Sequence, residues 1–265
     1  MRDLNTIEDV ANYIVEDGKG ILAADESNPT CGKRFDSIGV ESNEANRRDY
    51  REMLFRSEGM KDNIGGVILF DETIRQKAED GTPLVKVILD QGALPGIKVD
   101  QGLKGIGDSE ESLTQGLEGL DERLKEYYSL GARFTKWRAV IKVGGSLPSE
   151  EAIVSNMSAL AEYAKLVQEN NMVPMVEPEV LMDGNHSIDQ CFEATSRSLE
   201  CLFSLLKEKG VNIKGTILKP NMVTSGSESS NKADINEVAH QTIRCLKMHV
   251  PDDLPGVTFL SGGQS

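Results

Sequence analysis

Short apolar runs alternate with longer amphipathic stretches along the whole chain, and this alternation constrains the fold more than any other feature. The runs cover residues 20–25, 65–70, 96–100, 134–142, 173–180, 215–223 and 256–261. Between them, residues 45–56, 116–130, 149–168, 187–209 and 234–250 carry apolar side chains at helical spacing. Strand, helix and parallel strand in succession require right-handed crossovers, so the pattern predicts an α/β fold, either a doubly wound sheet or a closed barrel. No G-x-G-x-x-G follows the first run, which removes the main support for a dinucleotide-binding sheet. No linker interrupts the 265 residues, and 38% hydrophobic content is enough for the core of one barrel domain.

The places where the runs break are as informative as the runs. Lys98 and Asp100, Lys136 and Arg138, and Glu177 and Glu179 are pairs at spacing two, which puts both members on one face of a strand. Each pair lies near the C-terminal end of its run. Asp25 ends the first run, Lys219 falls near the end of the sixth, and Ser261-Gly262-Gly263 closes the seventh. Any one pair has an ordinary reading as a structural salt bridge or an exposed edge. Together they describe a barrel whose strands deliver polar groups to the C-terminal rim, where enzymes of this architecture collect their chemistry.

Lys219 is the sharpest of these features. It interrupts Gly215-Thr216-Ile217-Leu218 and is followed by Pro220. An ammonium buried in such a run suffers desolvation, and the neutral amine that relieves it is a nucleophile suited to a carbonyl carbon. The bland alternative is a lysine that snorkels from the strand end into water.

Charge narrows the partner. With 43 acidic against 29 basic residues the formal net charge is -14, which argues against nucleic acid or an anionic membrane surface. Four cations at the rim of so acidic a chain, Lys98, Lys136, Arg138 and Lys219, suit an anionic substrate such as a phosphate ester. Glycines after the seventh run would let backbone N–H groups approach that anion.

Cys31, Cys191, Cys201 and Cys245 form no C-x-x-C pair, which fits a reducing cytoplasm. His186, His240 and His249 lack ligand spacing, so no metal site is expected and they read as packing or surface residues. No apolar run approaches the roughly 20 residues that span a bilayer, and the start of the chain does not read as a leader, so neither export nor membrane insertion is expected. Trp137 should point away from its charged neighbours toward the outer helices. The serine-rich residues 224–231 occupy a substrate-facing loop position, and residues 102–112 read as an acidic solvated loop.

Read together, Gly20-Ile21-Leu22-Ala23-Ala24-Asp25-Glu26-Ser27, Gly96-Ile97-Lys98-Val99-Asp100, Lys136-Trp137-Arg138, Val176-Glu177-Pro178-Glu179, Leu218-Lys219-Pro220-Asn221-Met222-Val223 and Leu260-Ser261-Gly262-Gly263-Gln264-Ser265 resemble class I fructose-bisphosphate aldolase. The motifs occur in that family's order over nearly the whole chain. The resemblance implies a (β/α)8 TIM barrel with only seven of its eight strands present, residues 1–265 forming one domain that lacks strand 8 and the C-terminal tail. It implies a glycolytic carbon–carbon lyase with no cofactor, acting on sugar phosphates in the cytoplasm as a homotetramer.

The resemblance makes Lys219 the imine-forming residue, Glu177 the acid/base for carbinolamine dehydration and Glu179 its neighbour. Asp25 and Lys136 become the pair at the C4 hydroxyl. Lys98, Arg138, Arg34, Ser261, Gly262 and Gly263 become phosphate binders, with Ser27 and Thr30 as weaker candidates on the loop after the first strand. The same lysine logic also serves other Schiff-base sugar-phosphate lyases, and a fragment that kept the barrel and lost turnover would be a scaffold.

Overall fold

The computed structural model describes residues 4–260. In chain order the elements are α1 (Ile7–Ile14), β1 (Gly20–Ala24), α2 (Asn28–Asp36), α3 (Glu44–Phe55), α4 (Gly59–Asn63), β2 (Ile64–Leu69), α5 (Asp71–Arg75), α6 (Leu84–Asp90) and β3 (Leu94–Lys98). There follow β4 (Leu103–Gly105), β5 (Ser112–Thr114), α7 (Leu120–Ser129), β6 (Phe134–Ile141), α8 (Glu150–Glu169), β7 (Val173–Val180), α9 (Ile188–Glu208), β8 (Ile217–Leu218) and α10 (Ile235–His249). Six strands form one sheet in the order β1-β2-β3-β6-β7-β8, every neighbour parallel. This is the curled parallel sheet of a TIM-type barrel, as the βα alternation predicts.

The strands read apolar and then charged along a single face. On β6 that face runs Phe134, Lys136, Arg138 and then apolar Val140; on β7 it runs Val173, Met175, Glu177, Glu179; on β3 it runs Leu94, Gly96, Lys98. The period of two keeps these side chains together, so the N-terminal end of the face is oily and the charges follow it. Phe134 fills the oily end, lying so close over β3 that a Cβ on Gly96 would stand 2.3 Å from its Cζ. Helix α1 closes the same end, packing Val10, Ala11 and Ile14 against Ile68, Phe134, Val173 and Ile217. Its first turn is fixed by a reciprocal cap, Asp9 N–H to Thr6 Oγ1 at 3.1 Å and Thr6 N–H to the Asp9 carboxylate at 3.0 Å.

The opposite face of the sheet packs on the helices. Trp137 is fully buried there, its ring 5.4 Å from that of Tyr163 on α8, in agreement with its expected outward direction. All five amphipathic stretches are helices, with ends within a few residues of the periodicity reading.

Three features depart from that reading. The sixth run is mostly not strand: residues 213–215 form a 3₁₀ turn and β8 holds only two residues, because Pro220 cannot donate to a ladder. The seventh run takes its expected place beside β8 but makes a single bridge, Val257 to Leu218, held by Leu218 N–H to Gly256 O at 3.3 Å and Thr258 N–H to Leu218 O at 2.9 Å.

The third departure is that residues 102–112, read as a solvated loop, enter an antiparallel hairpin of β4 and β5. Its order comes from outside the loop. Asn156 of α8 donates to Ser112 O at 2.8 Å, and buried Glu111 accepts from Ser149 N–H at 2.8 Å and Ser149 Oγ–H at 2.6 Å at the start of α8.

Candidate active site

The charged halves of the strands converge on one cavity of about 850 Å³, which Asp25, Lys98, Lys136, Arg138, Glu177, Glu179 and Lys219 all line. Register accounts for the convergence. Lys98 is level with Lys136 across β3 and β6, and Arg138 is level with Glu177 across β6 and β7. Lys219 leaves β8 with its N–H still on the ladder, donating to Val176 O at 2.9 Å. Just beyond it Asn221 accepts from Val180 N–H at 3.0 Å and donates to Thr195 Oγ1 at 3.0 Å, pinning the turn that aims the lysine inward.

At the floor of the cavity Glu177 lies between two ammonium groups. Lys219 Nζ donates to its Oε1, and Lys136 Nζ lies 3.3 Å from its Oε2. Lys136 also pairs with Asp25 at 2.8 Å. The side chains of Lys219, Glu177 and Lys136 are only 11%, 5% and 8% exposed, so these charges act on one another with little screening by water. Burial alone would drive the Lys136 ammonium to lose its proton. The carboxylates of Asp25, Glu177 and Asp100 outweigh that and hold its pKa above the ordinary lysine value. Lys136 is therefore a fixed cation.

Around this floor stands a ring of ion pairs. Arg138 Nε donates to Glu179, whose charge overcomes desolvation and raises the guanidinium pKa. Lys98 pairs with Asp100 at 2.6 Å, and Asp100 also accepts from Arg138 N–H at 3.3 Å. Ser27, Thr30 and Arg34 border the cavity as well. Ser27 caps α2 and its hydroxyl lies 3.0 Å from that of Thr30, while Arg34 reaches back to Glu26. Ser261, Gly262 and Gly263 lie outside the described residues; Leu260, just before them, borders the cavity.

The sequence reading missed the residues that brace this site from the side. Arg123 on α7 lines the cavity and ties the end of β3 to the hairpin, donating to Val99 O at 2.9 Å and to Gly116 O. Nothing marked it, because a lone arginine on an amphipathic helix reads as a solvated position. No cluster of potential metal ligands occurs among the described residues. His186 is a buried packing residue.

Comparison with known proteins agrees with this geometry. The family model described as fructose-bisphosphate aldolase class-I matches residues 6–265. The chain is 52% identical over 263 residues to the probable fructose-bisphosphate aldolase class 1 of Xanthomonas campestris pv. campestris, covering 99% of this chain and 79% of that protein. It is 52% identical over 256 residues to fructose-bisphosphate aldolase 6, cytosolic, of Arabidopsis thaliana, covering 96% of this chain and 71% of that one. The solved structure of fructose-bisphosphate aldolase from Plasmodium falciparum, a complex with TRAP and a small-molecule inhibitor, aligns with a TM-score of 0.95 at 48% identity, over 97% of this chain and 75% of that one. With a strand-end lysine bonded to a buried carboxylate and these likenesses over almost its full length, the chain belongs to the class-I fructose-bisphosphate aldolase family.

Proposed function

We propose that the chain cleaves fructose 1,6-bisphosphate reversibly to dihydroxyacetone phosphate and glyceraldehyde 3-phosphate through an imine on Lys219. The observation that carries this reading is the Lys219–Glu177 hydrogen bond beside the fixed Lys136–Asp25 pair. Lys219 passes a proton along its hydrogen bond to Glu177, and the neutral amine adds to the C2 ketone, forming a C–N bond as the carbonyl oxygen takes up the amine's surplus proton. Glu177 gives the carbinolamine hydroxyl a proton so that it departs as water, leaving a cationic imine.

Asp25, held by Lys136, removes the C4 hydroxyl proton. The C3–C4 bond then breaks, its electron pair moving into the imine to make an enamine, and glyceraldehyde 3-phosphate leaves. Protonation at C3 restores the imine, and water releases dihydroxyacetone phosphate and the free amine. Lys136 supplies a positive charge beside the oxygen where negative charge develops. Glu179 holds Arg138, and Arg138, Lys98 and Arg34 together with Ser27 and Ser261-Gly262-Gly263 receive the two phosphates, for which cationic forks and backbone N–H groups are suited.

An iminium ion is itself the electron sink, so the proposed reaction needs no cofactor, and EDTA should leave the rate unchanged. No described helix is long and apolar enough to cross a membrane, and the Arabidopsis relative is named cytosolic. From that relative's name we infer a cytoplasmic enzyme, and from the family resemblance a homotetramer in which residues 1–265 form a single barrel domain lacking strand 8 and the C-terminal tail.

The test is borohydride reduction in the presence of fructose 1,6-bisphosphate, set against other sugar phosphates, with mass analysis of the peptide that contains Lys219. A hexose bisphosphate adduct on Lys219 that is absent in Lys219→Arg is expected, together with triose phosphate in the unreduced reaction. An adduct that survives in Lys219→Arg, or none with fructose 1,6-bisphosphate, would refute the reading.

A further inference from the structure

Arg51 is the most deeply buried cation of the described residues, 0% exposed, and it touches no cavity assigned above. It projects from α3 onto the end of β1, where its donors flank the residue that faces Lys136. Arg51 Nε donates to Ala24 O at 3.2 Å and Nη2 to Glu26 O at 2.6 Å. These are the carbonyls on either side of Asp25. The rigid guanidinium fork therefore ties down the Ala24–Asp25 peptide and, past it, the Glu26–Ser27 peptide, and so holds the short stretch from which the Asp25 carboxylate projects.

The same side chain also bears on Arg34. Glu26 lies 3.8 Å from Arg51 and accepts from both Arg34 and the Tyr50 hydroxyl. On the far side Glu72 stands 3.9 Å from Arg51 and is locked by Arg47 through two bonds, of 2.8 and 2.6 Å. A buried guanidinium without full carboxylate pairing is costly to maintain, and two backbone carbonyls are weak compensation for a fold that needed only to fill space.

We propose that Arg51 is a positioning residue for carbon–carbon bond cleavage: it holds the carbonyls of Ala24 and Glu26, before and after Asp25, so that the Asp25 carboxylate stays aligned with Lys136 and the substrate C4 hydroxyl. This rests on the reading of Asp25 given above. It separates two halves of the reaction. Imine formation depends on Lys219 and Glu177, on other strands; bond cleavage depends on Asp25.

The test compares Arg51→Lys with the parent chain in two assays on folded protein. One is borohydride trapping at Lys219 with dihydroxyacetone phosphate, which has no C4 hydroxyl. The other is the rate of triose release from fructose 1,6-bisphosphate. Lysine keeps the charge and loses the fork, so the ratio of cleavage to trapping should fall about tenfold, in line with the penalty for misaligning a reacting group, while trapping stays within about twofold.

A role in stability alone would lower both assays together and leave the ratio unchanged; that result, or cleavage at the parent rate, overturns the proposal. Should Arg51→Lys fail to fold, the same ratio is read in Arg51→Gln, which keeps a single amide donor for those carbonyls and leaves the Arg47–Glu72 pair intact, with the same two outcomes. Failure of the parent chain to trap or cleave would instead count against the imine reading itself.

Discussion

Replacing Glu177 by glutamine probes the centre of the site with almost no change in shape. Glu177 is in contact with two ammonium groups, Lys219 by hydrogen bond and Lys136 at 3.3 Å. At an effective dielectric constant of about 20, a unit charge pair at that separation is worth about 5 kcal/mol. The net loss is smaller, because Lys136 keeps Asp25 at 2.8 Å. Breaking one arm of a buried pair costs about 3 kcal/mol, equivalent to a fall of about 6–12 °C in melting temperature for a chain of this size. The kinetic effect is separate. An amide cannot donate the carboxyl proton that expels the carbinolamine hydroxyl, so imine formation should slow by ~10²–10⁴, or about 3–5 kcal/mol in the barrier. The assay is a quench time course: dihydroxyacetone phosphate is mixed with each protein well below its melting temperature, borohydride is added at intervals, and the Lys219 adduct is quantified. Adduct forming in Glu177→Gln at the parent rate, in protein shown to be folded, would remove Glu177 from the dehydration step.

Three further outcomes are expected. Gly96→Ala drives a methyl group against the Phe134 ring, which the 2.3 Å approach makes unavoidable; overpacking of this kind costs about 1–3 kcal/mol, and Phe134→Leu in the same chain should recover part of it. Melting curves of the two single variants and the double variant check this, and strictly additive losses would contradict it. Burial, helped by the charge of Lys232, pushes the His186 pKa below the ordinary histidine value, so the unfolded chain takes up a proton there before the folded chain does. Stability should thus decline as pH falls from about 6.5 through the depressed folded value, and His186→Gln should flatten that part of a melting profile. Arg138→Met should lower kcat/KM for fructose 1,6-bisphosphate by ~10–100-fold, since a charged hydrogen bond contributes about 1.5–3 kcal/mol. Its effect on a monophosphate should be smaller, and equal losses on both would argue against a phosphate contact.

The strand ends were readable because the physics that places them is local. A charge at every second position of an apolar run has only one face to occupy, so Lys136 with Arg138 and Glu177 with Glu179 could be assigned to a common rim before any fold was known. Trp137 followed from the same alternation. Helix α6 was not legible: Leu84-Val85-Lys86-Val87-Ile88-Leu89 is apolar nearly all round, and periodicity cannot distinguish a buried helix from a strand in so short a run. The hairpin at residues 103–114 was hidden because its order comes from Asn156 and Ser149, more than forty and about thirty-eight positions from their partners Ser112 and Glu111. Arg51 was invisible for a similar reason. In the sequence it is one arginine among several on a polar helix, and only the tertiary structure turns it toward the carbonyls of Ala24 and Glu26.

Helix α1 is synthesised well before the residues it docks on. The surface that covers Val10, Ala11 and Ile14 includes Val173 and Ile217, and Glu8 holds the Asn212 amide from 204 positions away at 2.5 Å. Until the ribosome has delivered the second half of the chain, an oily helix waits in solution without its seat. The nascent polypeptide is then exposed to chaperone capture at this helix.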